Sequence, residues 1–341
     1  MRINKKFTCA IIGMGRMGQR YIDIVKKLKI NLVSIYDLNI DTIKKEIPKN
    51  KINKKIFTNK LSNLFYKKPD LIIIASTADS HFKLINKCAQ NNIKYIFCEK
   101  PLTTSLPKIN KIKEIISKKK IFISINHNSH FRGELNLCKK IANSKDLGGI
   151  TNITRIGGNA GITMNGSHFI SEFIYLSGLI PVEVSADIKL DKYLNNRGAK
   201  FKDFAGNLTL KNKINIKGNL NFENDSGHGD LLILTCRFGQ LFLDLFSGHL
   251  YINKRKKKFL NQKSSKYGCP YTTIIKKVKI SSVQDATLKN LKNFLNGKNY
   301  FNLKKAEVVT KSLLAAYVSS TRNNEYIKIN SLKLTKDFSW P

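Results

Sequence analysis

Three glycines with fixed spacing, in the run Gly13-Met14-Gly15-Arg16-Met17-Gly18, follow a short apolar segment and precede an amphipathic one. Between a strand and a helix, the first glycine permits a tight turn, the second lets a pyrophosphate approach the backbone, and the third lets the helix press on the strand. The helix then offers unpaired N–H groups and its positive dipole end to phosphates. The run therefore predicts a dinucleotide-binding loop made of Gly13, Gly15, Arg16, Met17 and Gly18.

An aspartate, Asp37, stands 19 residues after Gly18, at the end of a second apolar segment, Val33–Tyr36. A carboxylate in this place accepts hydrogen bonds from both ribose hydroxyls of an adenosine and repels a 2′-phosphate. Asp37 therefore favours NAD over NADP, although nearby lysines keep NADP as the alternative.

A lysine at the end of another predicted strand, in Cys98-Glu99-Lys100-Pro101, is the second candidate for chemistry. Ligands bind at the carboxyl ends of parallel strands. Partial burial depresses the pKa of a lysine until it can donate or accept a proton. In a chain this rich in lysine, a solvated Lys100 before a turn proline is the alternative interpretation.

Two further polar clusters contain histidines. Asn165-Gly166-Ser167-His168 opens a helix predicted to end near Ser177, and Asn126-His127-Asn128-Ser129-His130 follows a predicted strand. Two histidines three residues apart occur in metal sites, but no carboxylate or cysteine stands nearby at ligand spacing. We therefore predict no metal site.

The elements that must position these residues follow from hydrophobic periodicity. Up to about residue 130, short apolar runs alternate with segments whose apolar residues recur every three or four positions, as in Ser80–Gln90. Strands that are apolar on both faces and alternate with helices are typical of a parallel sheet covered on both sides. We therefore predict an α/β fold for residues 1–127, with a doubly wound parallel sheet of the Rossmann type.

Strict alternation of apolar and polar residues takes over in the second part of the chain. It is present in Val182–Leu190 and Leu208–Phe222, and Leu231–Phe238 and Leu241–Phe246 are predicted to pair as a hairpin across Gly239-Gln240. One apolar face per strand is typical of an antiparallel sheet packed on one side. Residues 128–341 are therefore predicted to form an α+β domain with an open, mainly antiparallel sheet.

The glycine run, the strand-end Asp37, Ser76-Thr77-Ala78 with His81, and Glu99-Lys100-Pro101 together resemble the Gfo/Idh/MocA oxidoreductases over nearly the whole chain. Members share a dinucleotide-binding domain followed by an open-sheet domain. The resemblance implies NAD(P)-dependent oxidation or reduction of a sugar, nucleotide sugar, inositol or similar polyol. It also implies a homo-oligomer, dimer or tetramer, that buries the open sheet.

The resemblance assigns roles to individual residues. Lys100 would act on the reacting hydroxyl or carbonyl, and His168 would bond the substrate hydroxyl or serve as acid and base. Asn126 and Asn128 would meet the substrate. The cofactor pocket would be lined by Ser76, Thr77, His81, Glu99 and Lys100.

Two positions depart from the family's pattern. Many relatives carry an aspartate four residues before the histidine and three after it, where this chain has Met164 and Ser171. His168 then lacks a charged partner to orient it, although Asn165 can still exchange hydrogen bonds with a hydroxylated ligand. A non-catalytic dinucleotide or sugar sensor, or a subunit with the same fold, is therefore the alternative to an enzyme.

Composition and charge exclude other classes. The net charge of +38 includes only 9 arginines among 61 basic residues, and the lysines are spread over every segment, so we predict no specific nucleic-acid binding. No apolar stretch approaches the roughly 18 residues of a membrane helix. The six cysteines, Cys269 among them, show no CxxC pair, which fits a reduced, cytoplasmic protein without a structural metal.

Overall fold

The computed structural model describes residues 7–40, 43, 52–158, 160–194, 201–223, 227, 229–262, 271–338 and 340. Cys269 lies outside these residues. The five cysteines within them are unbridged and buried. No helix of the described chain combines the length and the apolar character that a membrane crossing would need.

The first part of the chain alternates strands and helices, as predicted. Its elements are β1 (Thr8–Ile12), α1 (Arg16–Lys27), β2 (Asn31–Tyr36), β3 (Phe57–Thr58), α2 (Leu61–Tyr66), β4 (Leu71–Ile74), α3 (Ala78–Gln90), β5 (Tyr95–Cys98), α4 (Leu106–Lys119) and β6 (Phe122–Ile125).

These strands form a parallel six-stranded sheet in the order β3-β2-β1-β4-β5-β6. The run Leu71-Ile72-Ile73-Ile74 of β4 is buried at every position, because helices cover both faces of a doubly wound sheet. The strand order reverses between β1 and β4. The carboxyl ends of these two strands therefore form the switch point where ligands bind in open α/β sheets.

The second part of the chain contains one long sheet and four helices among its described residues. The elements are α5 (Gly133–Ala142), β7 (Ile150–Gly158), α6 (Ile162–Ser177), β8 (Pro181–Leu194), β9 (Asp203–Asn212), β10 (Lys217–Glu223), β11 (Asp230–Cys236), β12 (Gly239–Asp244), β13 (His249–Arg255), β14 (Tyr271–Lys277), α7 (Val283–Leu295), α8 (Leu303–Ser320) and β15 (Ile327–Lys328).

The nine strands of this sheet follow the order β14-β13-β12-β11-β7-β10-β9-β8-β15, and all neighbours are antiparallel except β7 and β10. The alternation in Leu208–Phe222 does not belong to one strand. Ile214 lies in the turn between β9 and β10 and is 59% exposed. The hairpin of β11 and β12 turns at Arg237-Phe238, one pair earlier than predicted.

The chain divides into two compact units, and neither unit is one continuous stretch as a single boundary between residues 127 and 128 would require. The first unit is Met1–Asn128 together with Val283–Glu307 and Leu334–Phe338, and the remaining residues form the second. The reason is packing: Leu291, Phe294 and Leu295 of α7 belong to the hydrophobic core that α1 and the parallel strands build. Alternation patterns report the local period of a segment and carry no information about which sheet a later helix covers.

Candidate functional site

The glycine loop in the first unit joins β1 to α1. Gly13 has φ +94°, and a side chain there would place its Cβ 2.8 Å from the carbonyl carbon of Ala75. The Gly13 N–H donates to the carbonyl of Tyr36 at 2.8 Å. Gly13 is therefore required both for the backbone conformation and for the close approach of the loop to the end of β4.

The other two glycines differ sharply in their surroundings. A Cβ on Gly18 would lie 2.0 Å from the Gly13 carbonyl oxygen, so only glycine lets α1 pack this close to the loop. Gly15 is exposed and has no atom within 4 Å of its added Cβ. It is also the N-cap of α1, and no side chain caps this helix end. The open space and the N–H groups of the first helical turn fit a bound phosphate.

Asp37 lies at the carboxyl end of β2, against the glycine loop. One carboxylate oxygen accepts the N–H of Met14 at 2.7 Å and the other accepts the N–H of Asn39 at 2.9 Å. The side chain is half-buried, and each ionised oxygen keeps a further lone pair for a ribose hydroxyl. Loop, helix terminus and carboxylate together fit a dinucleotide in which the ribose hydroxyls are free.

The loop after β4 carries Ser76 and Thr77 to the start of α3. The Ser76 hydroxyl lies 2.6 Å from that of Ser80, and the Thr77 hydroxyl donates to Asp79 at 2.6 Å. Both hydroxyls are half-buried at the carboxyl edge of the sheet. The predicted cofactor residues of this loop therefore lie at the same sheet edge as the glycine loop.

Lys100 follows β5 at the next position along this edge and is half-buried, with a cis peptide bond to Pro101. Its neighbour Glu99 is buried and accepts hydrogen bonds from the Tyr21 hydroxyl at 2.6 Å and from the Asn126 amide at 2.8 Å. Burial, and the Glu99 carboxylate beside it, raise the pKa of Tyr21 well above its usual value. Glu99 therefore joins α1, β5 and the end of β6 beneath Lys100.

Asn126 and Asn128 belong to a buried polar network within the first unit. The Asn126 amide also contacts Thr287 at 3.2 Å and its carbonyl accepts from Asn290 at 3.1 Å, while Asn128 donates to Thr287 at 3.0 Å. Asn126 is 3% exposed and Asn128 is 7% exposed. These bonds tie β6 to α7, and contact between either asparagine and a substrate stays a prediction.

In the second unit, α6 is buried along most of its length. The half-exposed positions in its first two turns are Met164, Asn165 and His168. Residues 164 and 168 are one turn apart and share a face of the helix. The structure thus presents both predicted substrate residues of α6, Asn165 and His168, on the accessible side of that helix.

A carboxylate from another strand holds the beginning of α6. Asp203 of β9 is buried and accepts hydrogen bonds from the Thr163 hydroxyl at 2.5 Å and from the Met164 N–H at 3.0 Å. A Cβ on Gly161 would lie 1.8 Å from the Asp203 carboxyl carbon. Asp203 thus supplies the capping oxygen that the helix's own N-cap, Gly161, lacks.

Ser171 and Glu172 fix the next turn of α6 within the second unit. The Ser171 hydroxyl lies 2.7 Å from the Ser129 hydroxyl, and both are buried. Glu172 accepts from Arg132 at 3.0 Å with one oxygen and from Arg155 with the other. Burial opposes the charge of Arg155, but Glu172 and Asp230 outweigh it and raise the pKa of the guanidinium.

Sequence reasoning missed the residues that support the site from a distance. Tyr21 carried one signal, because a tyrosine on the buried face of an amphipathic helix needs a hydrogen-bond partner. We recognise no sequence signal for the other three residues, Thr287, Asn290 and Asp203. Within the described residues, no group of three histidine, cysteine, aspartate or glutamate side chains is arranged to hold a metal ion.

Comparison with known proteins agrees with this geometry. Residues 7–127 match the family model for the oxidoreductase family GFO_IDH_MocA, NAD-binding Rossmann fold. The match covers the part of the chain that forms the parallel six-stranded sheet.

Two curated relatives resemble the chain over part of their length. The uncharacterized oxidoreductase YrbE of Bacillus subtilis is 25% identical over 149 residues, which is 43% of this chain and 42% of the relative. The myo-inositol 2-dehydrogenase of Thermotoga maritima is 24% identical over 148 residues, 40% of this chain and 41% of the relative. The alignments thus span about two fifths of these relatives.

Solved structures match nearly the whole fold at low sequence identity. An Agrobacterium radiobacter oxidoreductase in complex with NAD+, L-tartaric acid and magnesium has a TM-score of 0.76 at 15% identity, covering 96% of this chain and 99% of that one. A Desulfitobacterium hafniense oxidoreductase described as NADPH-dependent gives 0.76 at 18%, covering 95% and 98%. A super-repressor mutant of Gal80p from Saccharomyces cerevisiae gives 0.74 at 12%, covering 95% and 100%. These neighbours confirm the fold of both units.

Proposed function

We propose that the protein is an NAD-dependent oxidoreductase that transfers a hydride between nicotinamide and a hydroxyl or carbonyl carbon of a sugar, nucleotide sugar or polyol. The observation that carries the proposal is the common sheet edge. Three features follow strands of one parallel sheet at the edge where such sheets bind ligands. They are the open space beside Gly15 (the cradle) after β1, the Asp37 carboxylate after β2, and Lys100 after β5. The myo-inositol 2-dehydrogenase among the relatives supports the substrate class.

The residues of the cradle fit NAD, which supplies the hydride acceptor or donor when bound. The N–H groups of the first turn of α1 would hold the pyrophosphate. Asp37 would accept hydrogen bonds from the ribose hydroxyls and would disfavour a 2′-phosphate. The negative charge of Asp37 would therefore select NAD over NADP, as the sequence pattern predicts.

Lys100 provides the proton chemistry in this proposal. Hydride transfer from a hydroxyl-bearing carbon requires that the hydroxyl proton leave, and the reverse reaction requires that the new alkoxide be protonated. An amine on a half-buried lysine can accept or donate that proton. For α6 of the second unit, the resemblance implies that His168 and Asn165 bind hydroxyl groups of the substrate.

A non-catalytic sensor with the same fold is the second candidate. The fold occurs in a protein named for repression, Gal80p, and Met164 and Ser171 leave α6 without the aspartates that many relatives carry at these positions. A sensor binds a dinucleotide or sugar without turnover, so substitution of Lys100 separates the two candidates.

The experiment begins with titration of the purified protein with NADH and with NADPH, at low and high salt. Tighter NADH binding that is insensitive to salt supports the cofactor assignment, since attachment through bulk positive charge would weaken steeply with salt. Lys100→Ala and, as a matched control, Lys94→Ala are then assayed with NAD+ against hydroxylated substrates. Lys94 is exposed at the opposite end of β5.

The proposal expects Lys100→Ala to lose about 100-fold or more in kcat, the usual contribution of a positioned acid or base. NADH affinity should stay within about threefold, and Lys94→Ala should behave as the wild type. Equal turnover by Lys100→Ala and wild type would remove Lys100 from the mechanism. Binding of NADH without any turnover by the wild type would favour the sensor.

A further inference from the structure

The segment that follows Lys100 is irregular and yet fully buried. Pro101–Ser105 contains no helix or strand, and all five residues are buried. Irregular backbone usually lies at the surface, because its buried N–H and C=O groups otherwise need specific partners. The position of Lys100 at the head of this segment therefore depends on whatever binds the carbonyl and N–H groups behind it.

The structure shows two such anchors within the first unit. At the far end, the Thr104 hydroxyl donates to the Phe338 carbonyl at 2.6 Å, and the Phe338 N–H donates to the Thr104 carbonyl at 3.3 Å. At the near end, directly after Lys100, the Pro101 carbonyl oxygen lies 2.9 Å from Nδ1 of His81.

His81 contacts a second loop as well. Its Nε2 lies 3.1 Å from the carbonyl oxygen of Ser76, in the loop that follows β4. The ring is 0% exposed. One side chain on α3 therefore contacts the backbone of both the loop that carries the predicted cofactor residues and the segment behind the predicted proton-transfer residue.

We propose that His81 is a positioning residue for Lys100, which it holds by donating a hydrogen bond to the Pro101 carbonyl while its ring fills the space against the Ser76 loop. The proposal rests on the function proposed above for Lys100. It differs from the expectation that His81 lines the cofactor pocket, since the buried ring directs both nitrogens at protein carbonyls.

The chemistry of the ring decides which carbonyl receives the proton. Burial lowers the pKa of His81, against the carbonyl contacts, which raise it. The neutral ring has one N–H, on either Nδ1 or Nε2, so only one of these two nitrogens can donate. We place the proton on Nδ1, because the contact with the Pro101 carbonyl is the shorter of the two.

The test compares His81→Leu, which fills the space without a donor, with His81→Gln, which keeps a donor. Lys83→Ala, exposed on the same helix, is the control for α3. Hydrogen exchange of the peptide that covers residues 99–105, NADH affinity and steady-state kinetics are measured on the full chain.

In His81→Leu we expect exchange in residues 99–105 to be at least about tenfold faster, as the loss of a buried hydrogen bond implies. We expect kcat to fall by about ten- to a hundredfold, because a small misplacement of a catalytic group has that effect. NADH Kd and substrate KM should stay within about threefold. His81→Gln should restore most of the exchange protection and part of kcat, and Lys83→Ala should match the wild type.

Three results would overturn the proposal. Unchanged exchange in residues 99–105 of His81→Leu would show that the segment does not depend on the ring. A raised NADH Kd with unchanged kcat would make His81 a cofactor contact. Faster exchange throughout the first unit, without rescue in His81→Gln, would make it an ordinary core residue. If the wild type turns over no substrate while His81→Leu still loosens residues 99–105 alone, the proposed function fails and the link between His81 and this segment stands.

Discussion

Gly15 and Gly18 lie three residues apart, at the N-cap and in the first turn of α1, and the structure predicts different consequences of adding the same methyl group to each. At Gly18 the new Cβ would lie 2.0 Å from the Gly13 carbonyl oxygen, where real Cβ contacts stay above 3.0 Å, so α1 and the loop must separate by about 1 Å. At Gly15 nothing lies within 4 Å, and the φ of −63° suits any residue. The first change perturbs the fold and the second perturbs the site.

The magnitudes follow from these contacts. Overpacking against side chains costs about 1–3 kcal/mol. Gly18→Ala meets backbone, which cannot rotate away, so we expect a loss of about 3 kcal/mol or more in the free energy of unfolding. Gly15→Ala replaces glycine at an N-cap and should cost less than about 1 kcal/mol. In the proposed function its methyl group would occupy the space of the pyrophosphate. The loss of one charge-assisted hydrogen bond, about 1.5–3 kcal/mol, should then weaken NADH binding roughly 10- to 150-fold.

Urea unfolding followed by circular dichroism gives the first quantity, and NADH fluorescence titration gives the second. Gly227→Ala, which also has open space around its Cβ, serves as a control for glycine replacement outside the loop. The reasoning is refuted if Gly15→Ala binds NADH as tightly as the wild type, since the open side of the loop would then not face the pyrophosphate. It is equally refuted if Gly18→Ala is as stable as the wild type.

Two further predictions concern buried ionisable groups. Glu172→Ala leaves Arg132 and Arg155 without their shared carboxylate and should lower the free energy of unfolding by about 3–5 kcal/mol. Glu172→Gln, which keeps the shape of the side chain, should have a stability between those of Glu172→Ala and the wild type. A change below about 1 kcal/mol for Glu172→Ala in urea unfolding would contradict this prediction. The pKa of His81 is lowered from 6.5, so below about pH 6.5 the unfolded chain binds more protons there than the folded one. The free energy of unfolding should therefore fall as the pH drops below that value, by at most about 1.4 kcal/mol per pH unit from this residue. Urea unfolding at about pH 7.5 and about pH 5.5 measures this change, and the change should be smaller in His81→Leu than in the wild type.

The parts of the structure that the sequence predicts correctly are those that depend on a single stretch of the chain. A strand, a glycine turn and a helix follow one another in the sequence, so the tight turn at Gly13 and the close packing at Gly18 can be predicted from the glycine spacing. The same holds for Asp37, because the end of a parallel strand next to the switch point is a local property of the α/β pattern. The parallel sheet and the alternating sheet were predictable because their periods are visible within single segments.

What the sequence does not predict are partners that meet only after folding. Thr287 lies 161 residues from Asn126, and their hydrogen bond forms because α7 packs against the parallel sheet within the first unit. Polar residues after β6 look the same in the sequence whether they face a ligand or a buried amide. Glu99 shows the same limit, because its partner Tyr21 belongs to a helix 78 residues earlier.

Met164 and Ser171 stand where many relatives carry aspartates, and their partners in the folded chain also could not be predicted from the sequence. From the sequence, the missing aspartates argue for a protein without turnover. In the structure, Asp203 from β9 accepts the N–H of Met164, and Ser171 pairs with Ser129. The beginning of α6 is thus fixed by a carboxylate that the chain supplies from 39 residues away. These contacts concern the backbone and first turn of α6 and not the His168 ring, so the sensor stays a candidate beside the enzyme. The decision between enzyme and sensor then rests on Lys100, the proton-transfer group of the proposed function, whose replacement leaves the contacts of Asp203 and Ser171 in place.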